Sequence, residues 1–587
     1  MKRNEIKVED TWDLTSWFKD QAAFDSLMVL AADRMKALTA CKGHLCDSLD
    51  SFRKFMDDME QLELNCEDLV TYSQMRADVE PDDAQVQKNL AAAATLANQV
   101  AAAMTFVDQE LIEHKETVEN YLKEESCKDY RYPVSEIFRT IPHRPDAQTE
   151  EVLAQMSDLF QNPEKAFKAF VPDFEPVEIN GKKEFLNQAT FQSMLHNTDR
   201  KVREEAFHHF YEQYRKHQNL FCATLTGHAQ GQVLSARYHH FNSALEASLF
   251  EDGSDLALFN QVLNMANKKH HEAFCEYNAL KKKMMGLDVC TSYDLNVPLV
   301  SSVSTHYELD ECFDILDKAL APLGEEYRQL LKRARAERWV DFYPHQGKRG
   351  GAYSWGTYSS NPFVMTNFTG EYDSLSTLAH ELGHSMHSYF SHTHNRPMLA
   401  SYRIFVAEVA STVNEVLLNQ YMLKTTDDPK QKASLLYNLL EQLVGTLYRQ
   451  PFFAEFEAWL HQQIEEGKPL SSSDITSCYH DLTVNYYGPS VEVDEYEKYK
   501  CYSVPHFYYN FYVYKYTIGM SVALSFAQRI LKGETEDYLR FLTRGGSCAP
   551  IDQLIEAGAD PRGEKVYDDA FAFFRKTLDE FKELLNQ

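Results

Sequence analysis

The stretch TLAHELGHSMHSY, residues 377–389, sets His380 and His384 four residues apart. On a helix that spacing projects both imidazoles from one face, where they can grip a single metal ion. Glu381 lies about 100° round the same turn, so its carboxylate stands beside an open coordination position and not on the ion. A general base that takes a proton from an ion-activated water needs that place. The spacing alone is modest evidence. Random placement of this chain's 22 histidines and 88 acidic residues gives roughly 0.1 H-[DE]-x-x-H matches, and a pair of helix-surface histidines would share the pattern.

A catalytic zinc site asks for three protein ligands and one open position. In SYRIFVAEVASTVNEVLLNQYM, residues 401–422, Glu408 stands among Phe405, Val406, Ala407, Val409 and Ala410. A carboxylate in such apolar company is costly to bury unless it is paired or bound to a metal. It follows His384 by 24 residues, enough chain to finish one helix, turn and return antiparallel. His380, His384 and Glu408 then form a two-histidine, one-carboxylate set. Nitrogen and oxygen ligands without thiolate suit a hydrolytic Zn²⁺, one per chain. Ser411 and Glu415 share the face of Glu408, at i+3 and i+7, and could orient the ligands, with solvent contacts as the alternative. His387, His392 and His394 follow the motif and are expected on a solvated face.

The elements that must position these residues are mostly helices. Apolar residues recur at three- and four-residue spacing over 82–122, 147–169, 199–237, 254–285, 307–337, 402–424, 430–466 and 565–587. The fold class is therefore mainly α, with long helices. One region departs from the pattern. Residues 347–383 hold six of the chain's 22 glycines, and NPFVMTNF within them reads as a short strand, giving a small β and glycine-rich region beside the motif helix. Ser374 or Ser376 could cap that helix, with Asp373 favouring its dipole. TRGGSCAPIDQLIEAGADP, near the C-terminal end, reads as a helix–helix connection. A boundary near residue 190, after PVEINGKKEF, divides an N-terminal helical lobe (1–190) from a catalytic domain (191–587).

At 587 residues the chain has room for several lobes. Its net charge of −29 repels phosphate backbones and anionic lipid heads, so neither nucleic acid nor a membrane surface is an expected partner. No apolar run is expected to reach the roughly 18–20 residues of a membrane span, and no apolar block follows the basic residues of the start. The eleven cysteines are scattered, odd in number and without a CxxC pair. They are expected as reduced thiols in a cytoplasmic protein.

AHELGHSMHSYF followed by FVAEVASTVNE resembles the metal-binding core of the M3 family of zinc metallopeptidases, and within it the oligoendopeptidase F group. WDLTSWF, NTDRKVREEAF, GKRGGAYSWGTYSSNPFVMTNF, VPHFYYNFYVYKYTIG and FLTRGGSCAPIDQLIEAGAD fit the same group, in order, over almost the whole chain. One departure is GGAYSWG, where the family pattern has a serine near residue 350. The resemblance implies zinc on His380, His384 and Glu408, with Glu381 as the base. It also implies a deep channel between helical lobes that admits short, unstructured oligopeptides. CYSVPHFYYNFYVYKY, residues 501–516, holds six tyrosines and one histidine. Aromatic helix packing explains most of them. Yet Tyr509, Tyr512 and Tyr516 fall at i, i+3 and i+7, one helical face, with His506 just before. In the family a histidine and tyrosines of this region bind substrate and donate to the oxyanion, which points to His506 and Tyr516 first, then Tyr512 and Tyr509.

The expected activity is zinc-dependent endopeptidase cleavage within oligopeptides. Glu381 would take the water's proton and pass it to the leaving amine, and the glycine loop could present backbone groups to an extended substrate. Two rivals are a zinc hydrolase of a non-peptide amide and a helical peptide-binding protein that has lost catalysis. An intact Glu381 argues against the second. The sequence sets no oligomeric state.

Overall fold

The computed structural model describes residues 2–300 and 305–585. These residues are mainly helical, with seven short strands: β1 (Val177–Ile179), β2 (Lys182–Glu184), β3 (Cys290–Thr291), β4 (Val340–Asp341), β5 (Tyr353–Trp355), β6 (Phe363–Met365) and β7 (Val491–Glu492). The chain forms two compact units, each assembled from three segments. The first comprises Met1–Pro142, Ser304–Lys424 and Phe526–Ala559; the second comprises His143–Val303, Thr425–Ser525 and Asp560–Gln587. Residue 190, where the sequence suggests a boundary, falls inside the second unit.

Several long periodic runs are broken without losing their apolar face. The run 82–122 becomes Ala84–Ala103, Phe106–Glu113 and Lys115–Tyr121, and 199–237 becomes Arg200–Lys216 and Gln218–Tyr238, hinged at His217. The run 307–337 is interrupted at Gly324, whose φ of 93° an L side chain rarely adopts. One stretch, Ala84–Glu113, is long and apolar enough by length and composition to cross a membrane. That corrects the expectation of no such run. Its hydropathy comes largely from the alanines of NLAAAATLANQVAAA, and its first helix packs on Gln21–Thr39 and Leu49–Val79.

In the first unit a three-stranded sheet, order β4-β6-β5, lies against the motif helix Tyr372–His394. β6 pairs parallel to β4 and antiparallel to β5. All three β6 side chains are buried, and the Trp12 and Trp17 rings pack on Phe363 with centroids 6.4 Å away. The glycine-rich segment between β4 and β5 is tied down by charge. Lys348 Nζ donates to Asp341 Oδ1 at 2.7 Å and to the Tyr343 carbonyl at 2.9 Å, while Arg3 reaches Asp341 at 2.9 Å. Two buried groups of opposite sign stay charged only with such partners. Farther along, Arg349 N–H donates to the Asp78 carbonyl at 2.8 Å and the Tyr353 hydroxyl to its carboxylate at 2.9 Å.

The second unit packs helix Pro429–Val444 against Glu564–Leu585, and Gln218–Tyr238 against Gln450–Glu465. All eleven cysteines are unpaired, as their scatter suggests.

Candidate metal centre and aromatic turn

The motif helix begins after Glu371, and no side chain caps it. Ser374, expected as a cap, instead accepts the Thr369 N–H at 3.0 Å, and Ser376 donates to Glu415 at 3.4 Å. The partner helix Ile404–Thr425 runs back across it after the short helix Pro397–Ala400. What lets the two helices meet is Gly383. A Cβ there would stand 2.6 Å from Ser411 Cα and 2.8 Å from the Ala410 carbonyl oxygen. The approach is locked by Asn414, which donates to the Ala379 carbonyl at 3.0 Å and accepts from the Tyr327 hydroxyl at 2.8 Å. The glycine connection of TRGGS docks on the same junction: Gly546 N–H donates to the Leu399 carbonyl at 2.8 Å. A Cβ at Gly545 or Gly546 would overlap the Leu399 or Ser401 carbonyl.

The close crossing brings three ligand atoms together. His380 Nε2 and His384 Nε2 are 3.2 Å apart, and Glu408 Oε2 lies 3.4 Å from the first and 3.6 Å from the second. Ligands about 2.0–2.1 Å from a tetrahedral zinc stand about 3.4 Å from one another, so the triangle fits that ion. Among the described residues these three side chains are the one such group able to hold a metal ion.

Each imidazole also has a second partner. His380 Nδ1 lies 3.3 Å from Glu415 Oε2, and His384 bonds the Ala407 carbonyl. The Nδ1 contact leaves His380 Nε2 free to face the centre. Ser411 Oγ donates to Glu408 Oε2 at 3.2 Å. Burial opposes charge on both rings. At His384 it prevails and lowers the pKa to about 4, whereas at His380 the carboxylates of Glu408 and Glu415 outweigh it and raise the pKa to about 10. Glu408 is held well below the usual carboxylate range despite its burial, chiefly by His380 and His384.

Glu381 is 7% exposed. Burial pushes its pKa up to about 7, with His380 opposing and Glu408 and Glu415 assisting, while a backbone N–H from Ser354 on β5 favours its ionised form. β5 is joined to the motif helix again through Ser354 Oγ and Ser385 Oγ, 2.8 Å apart. His387 departs from expectation. It is fully buried, stacking on Tyr402 with centroids 3.7 Å apart and facing the Phe541 ring at 5.1 Å.

His506, Tyr509, Tyr512 and Tyr516 belong to the second unit, and the expected single helical face is not formed. Pro505–Tyr508 is a 3-10 turn, Asn510 and Phe511 are left-handed at φ 50° and 54°, and the helix starts at Tyr514. Of the three tyrosines only Tyr516 is helical. The turn sorts the four residues into two pairs, His506 with Tyr509 (ring centroids 5.7 Å) and Tyr512 with Tyr516 (5.4 Å). Sequence reasoning passed over Gly383. Its only signal is a glycine inside a strongly helical pattern, which marks close approach.

A metal triangle on crossed helices, with a buried carboxylate one residue from the first ligand, defines an HExxH metallohydrolase in a mainly helical frame. Residues 193–573 match peptidase family M3 and residues 113–171 match Oligopeptidase F. The chain belongs to peptidase family M3, in its oligoendopeptidase F group, and is a metalloendopeptidase. It is 34% identical to oligopeptidase PepF of Bacillus subtilis, over 99% of this chain and 88% of that protein. It is 32% identical to group B oligopeptidase PepB of Streptococcus agalactiae, over 99% and 98%. The crystal structure of oligoendopeptidase-F from Enterococcus faecium superposes with a TM-score of 0.74 at 29% identity, covering 96% of this chain and 99% of that one.

Proposed function

We propose that this metallopeptidase is a zinc-dependent endopeptidase that cuts internal bonds of short, unstructured oligopeptides in the cytoplasm. The observation that carries the reading is the ligand triangle of His380, His384 and Glu408 with Glu381 beside it. The relatives named as oligopeptidases support the substrate class, and eleven unpaired cysteines support a reducing compartment. Zinc bound there supplies Lewis-acid activation of water and of the peptide carbonyl.

The chain's own groups do the rest. The Glu381 carboxylate, held by the Ser354 N–H, takes a proton from the attacking water and returns it to the leaving nitrogen. Burial, which pushes the Glu381 carboxyl upward, favours its holding the proton between the two transfers. Glu415 keeps the His380 ring turned so that Nε2 stays a ligand. His506 and Tyr516, then Tyr512 and Tyr509, bind substrate and donate hydrogen bonds to the developing oxyanion. β5, at the edge of its sheet, offers backbone groups to an extended peptide.

The test is cleavage of internally quenched peptides of graded length, with and without a chelator, alongside metal stoichiometry. Cleavage limited to short peptides, lost on chelation, with one zinc per chain, is the expected result. Zinc retained with no peptide cut at any length would move the activity to a non-peptide amide.

A further inference from the structure

The turn that carries the aromatic residues is strained, and a buried carboxyl of the same unit holds it. Asn510 and Phe511 follow one another in the left-handed region, at φ 50° and 54°, which a phenylalanine adopts only when its surroundings compel it. Three contacts do so. The Phe511 ring is buried against His461, centroids 4.5 Å apart. The Ser248 hydroxyl donates to the Asn510 carbonyl at 2.9 Å. The Phe511 N–H donates to Glu457 Oε1 at 2.7 Å.

Glu457 sits on the helix Gln450–Glu465 and is 1% exposed. Its Oε2 has no hydrogen-bond partner among the described residues. His461, one turn on, spends Nδ1 on the Glu457 carbonyl at 2.9 Å and Nε2 on Gln232 at 2.7 Å, so it cannot serve the carboxyl. A buried carboxyl without a cation is neutral at physiological pH, and burial pushes this one up to about 8. A core position filled only for packing would carry an apolar side chain. Here one oxygen is used, on the Phe511 N–H of the strained turn.

We infer that Glu457 is a positioning residue: by fixing the turn at Asn510–Phe511 it sets where His506 and Tyr509 on one side, and Tyr512 and Tyr516 on the other, present their polar tips. The inference rests on the proposed role of those four residues in substrate binding.

The zinc-loaded, full-length protein tests it through kcat and KM on an internally quenched peptide, with metal content measured in parallel. Glu457→Ala is expected to lower kcat/KM by about a hundredfold, the cost of a misplacement near 1 Å. The loss should divide between kcat and KM as it does in Tyr516→Phe, with metal content unchanged. Glu457→Gln, whose amide oxygen can accept the same N–H, is expected to restore turnover. Wild-type kinetics in Glu457→Ala, with the tyrosine variants impaired, would overturn the inference and leave the aromatic assignment standing. Wild-type kinetics in Tyr512→Phe, Tyr516→Phe and His506→Ala would remove that assignment, and the inference with it. Should Glu457→Ala fail to fold, Ser248→Ala decides: it frees the other end of the same turn, and unchanged kinetics there would sink the idea.

Discussion

Glu381 and Glu415 are both carboxylates on the two crossing helices, yet their surroundings give them different work. Glu381 is buried against β5 and raised to about 7, fit to move a proton. Glu415 faces His380 Nδ1 at 3.3 Å, fit to hold a ring. Substituting Glu381→Gln should therefore lower kcat by roughly 10²–10⁴-fold, the usual contribution of a general base, with the metal retained. Loss of metal in that variant would show that the side chain is needed for the centre itself. Glu415→Gln should do the reverse: metal affinity weakens by about 10–100-fold, as when the hydrogen-bond partner of a ligating histidine is lost. Competition with a chelating dye measures it, and unchanged affinity would return Glu415 to a mere surface contact.

At the scale of elements, the site depends on how closely two helices cross. Gly383 faces the Ser411 backbone with no room for a methyl group. Gly383→Ala should cost about 1–3 kcal/mol, as overpacking does, and should also pull Glu408 away from the two histidines. Denaturant unfolding and metal stoichiometry together check this; a variant that is destabilised but still binds one zinc would uncouple the crossing from the centre. The glycine-rich segment is positioned differently, by the ion pairs of Lys348 and Asp341 and by the Asp78 contacts. Its glycines sit in turns between those anchors.

For the whole molecule, buried titratable groups set how stability follows pH. His228, His387 and His461 are buried, and burial lowers their pKa values from 6.5 to about 4, 3 and 4. Between pH 4.5 and 6.5 the unfolded chain takes up protons that these three folded histidines refuse, so stability rises with pH. Glu457, raised from 4.5 to about 8, acts oppositely: folded, it keeps a proton that the unfolded chain releases. The histidines held low, His384 and His392 among them, outnumber the carboxyls held high, so stability still rises with pH up to about 6.5. Above it, Glu457 acts together with Glu67 and Glu381, raised to about 7, and His380, raised to about 10, and stability falls as pH rises. Urea midpoints from pH 4.5 to 8 should thus peak near 6.5, and Glu457→Gln should make the descending limb shallower. A flat profile in the unmodified protein would mean that these groups are hydrated in the fold.

The amino-acid sequence alone determined the helical class and picked out the three side chains, His380, His384 and Glu408, that the fold brings together. Those rest on short-range rules: a four-residue spacing on one helix, and a carboxylate among apolar neighbours that must find a partner. The family resemblance, carried by motifs in order along the chain, was legible for the same reason. Tertiary structure decided what periodicity cannot express. The apolar face of 82–122 runs on across the breaks at Met104–Thr105 and His114, so spacing read one helix where three form. Tyr509, Tyr512 and Tyr516 match a helical face in spacing, yet the left-handed pair between them divides that face. Among the contacts that compel that pair is Glu457, more than fifty residues earlier in the chain. His387 looks solvated beside its polar neighbours until Phe541 covers it. At the left-handed pair and at His387 the deciding contact comes from a segment remote in sequence, where burial and close approach outweigh local preference.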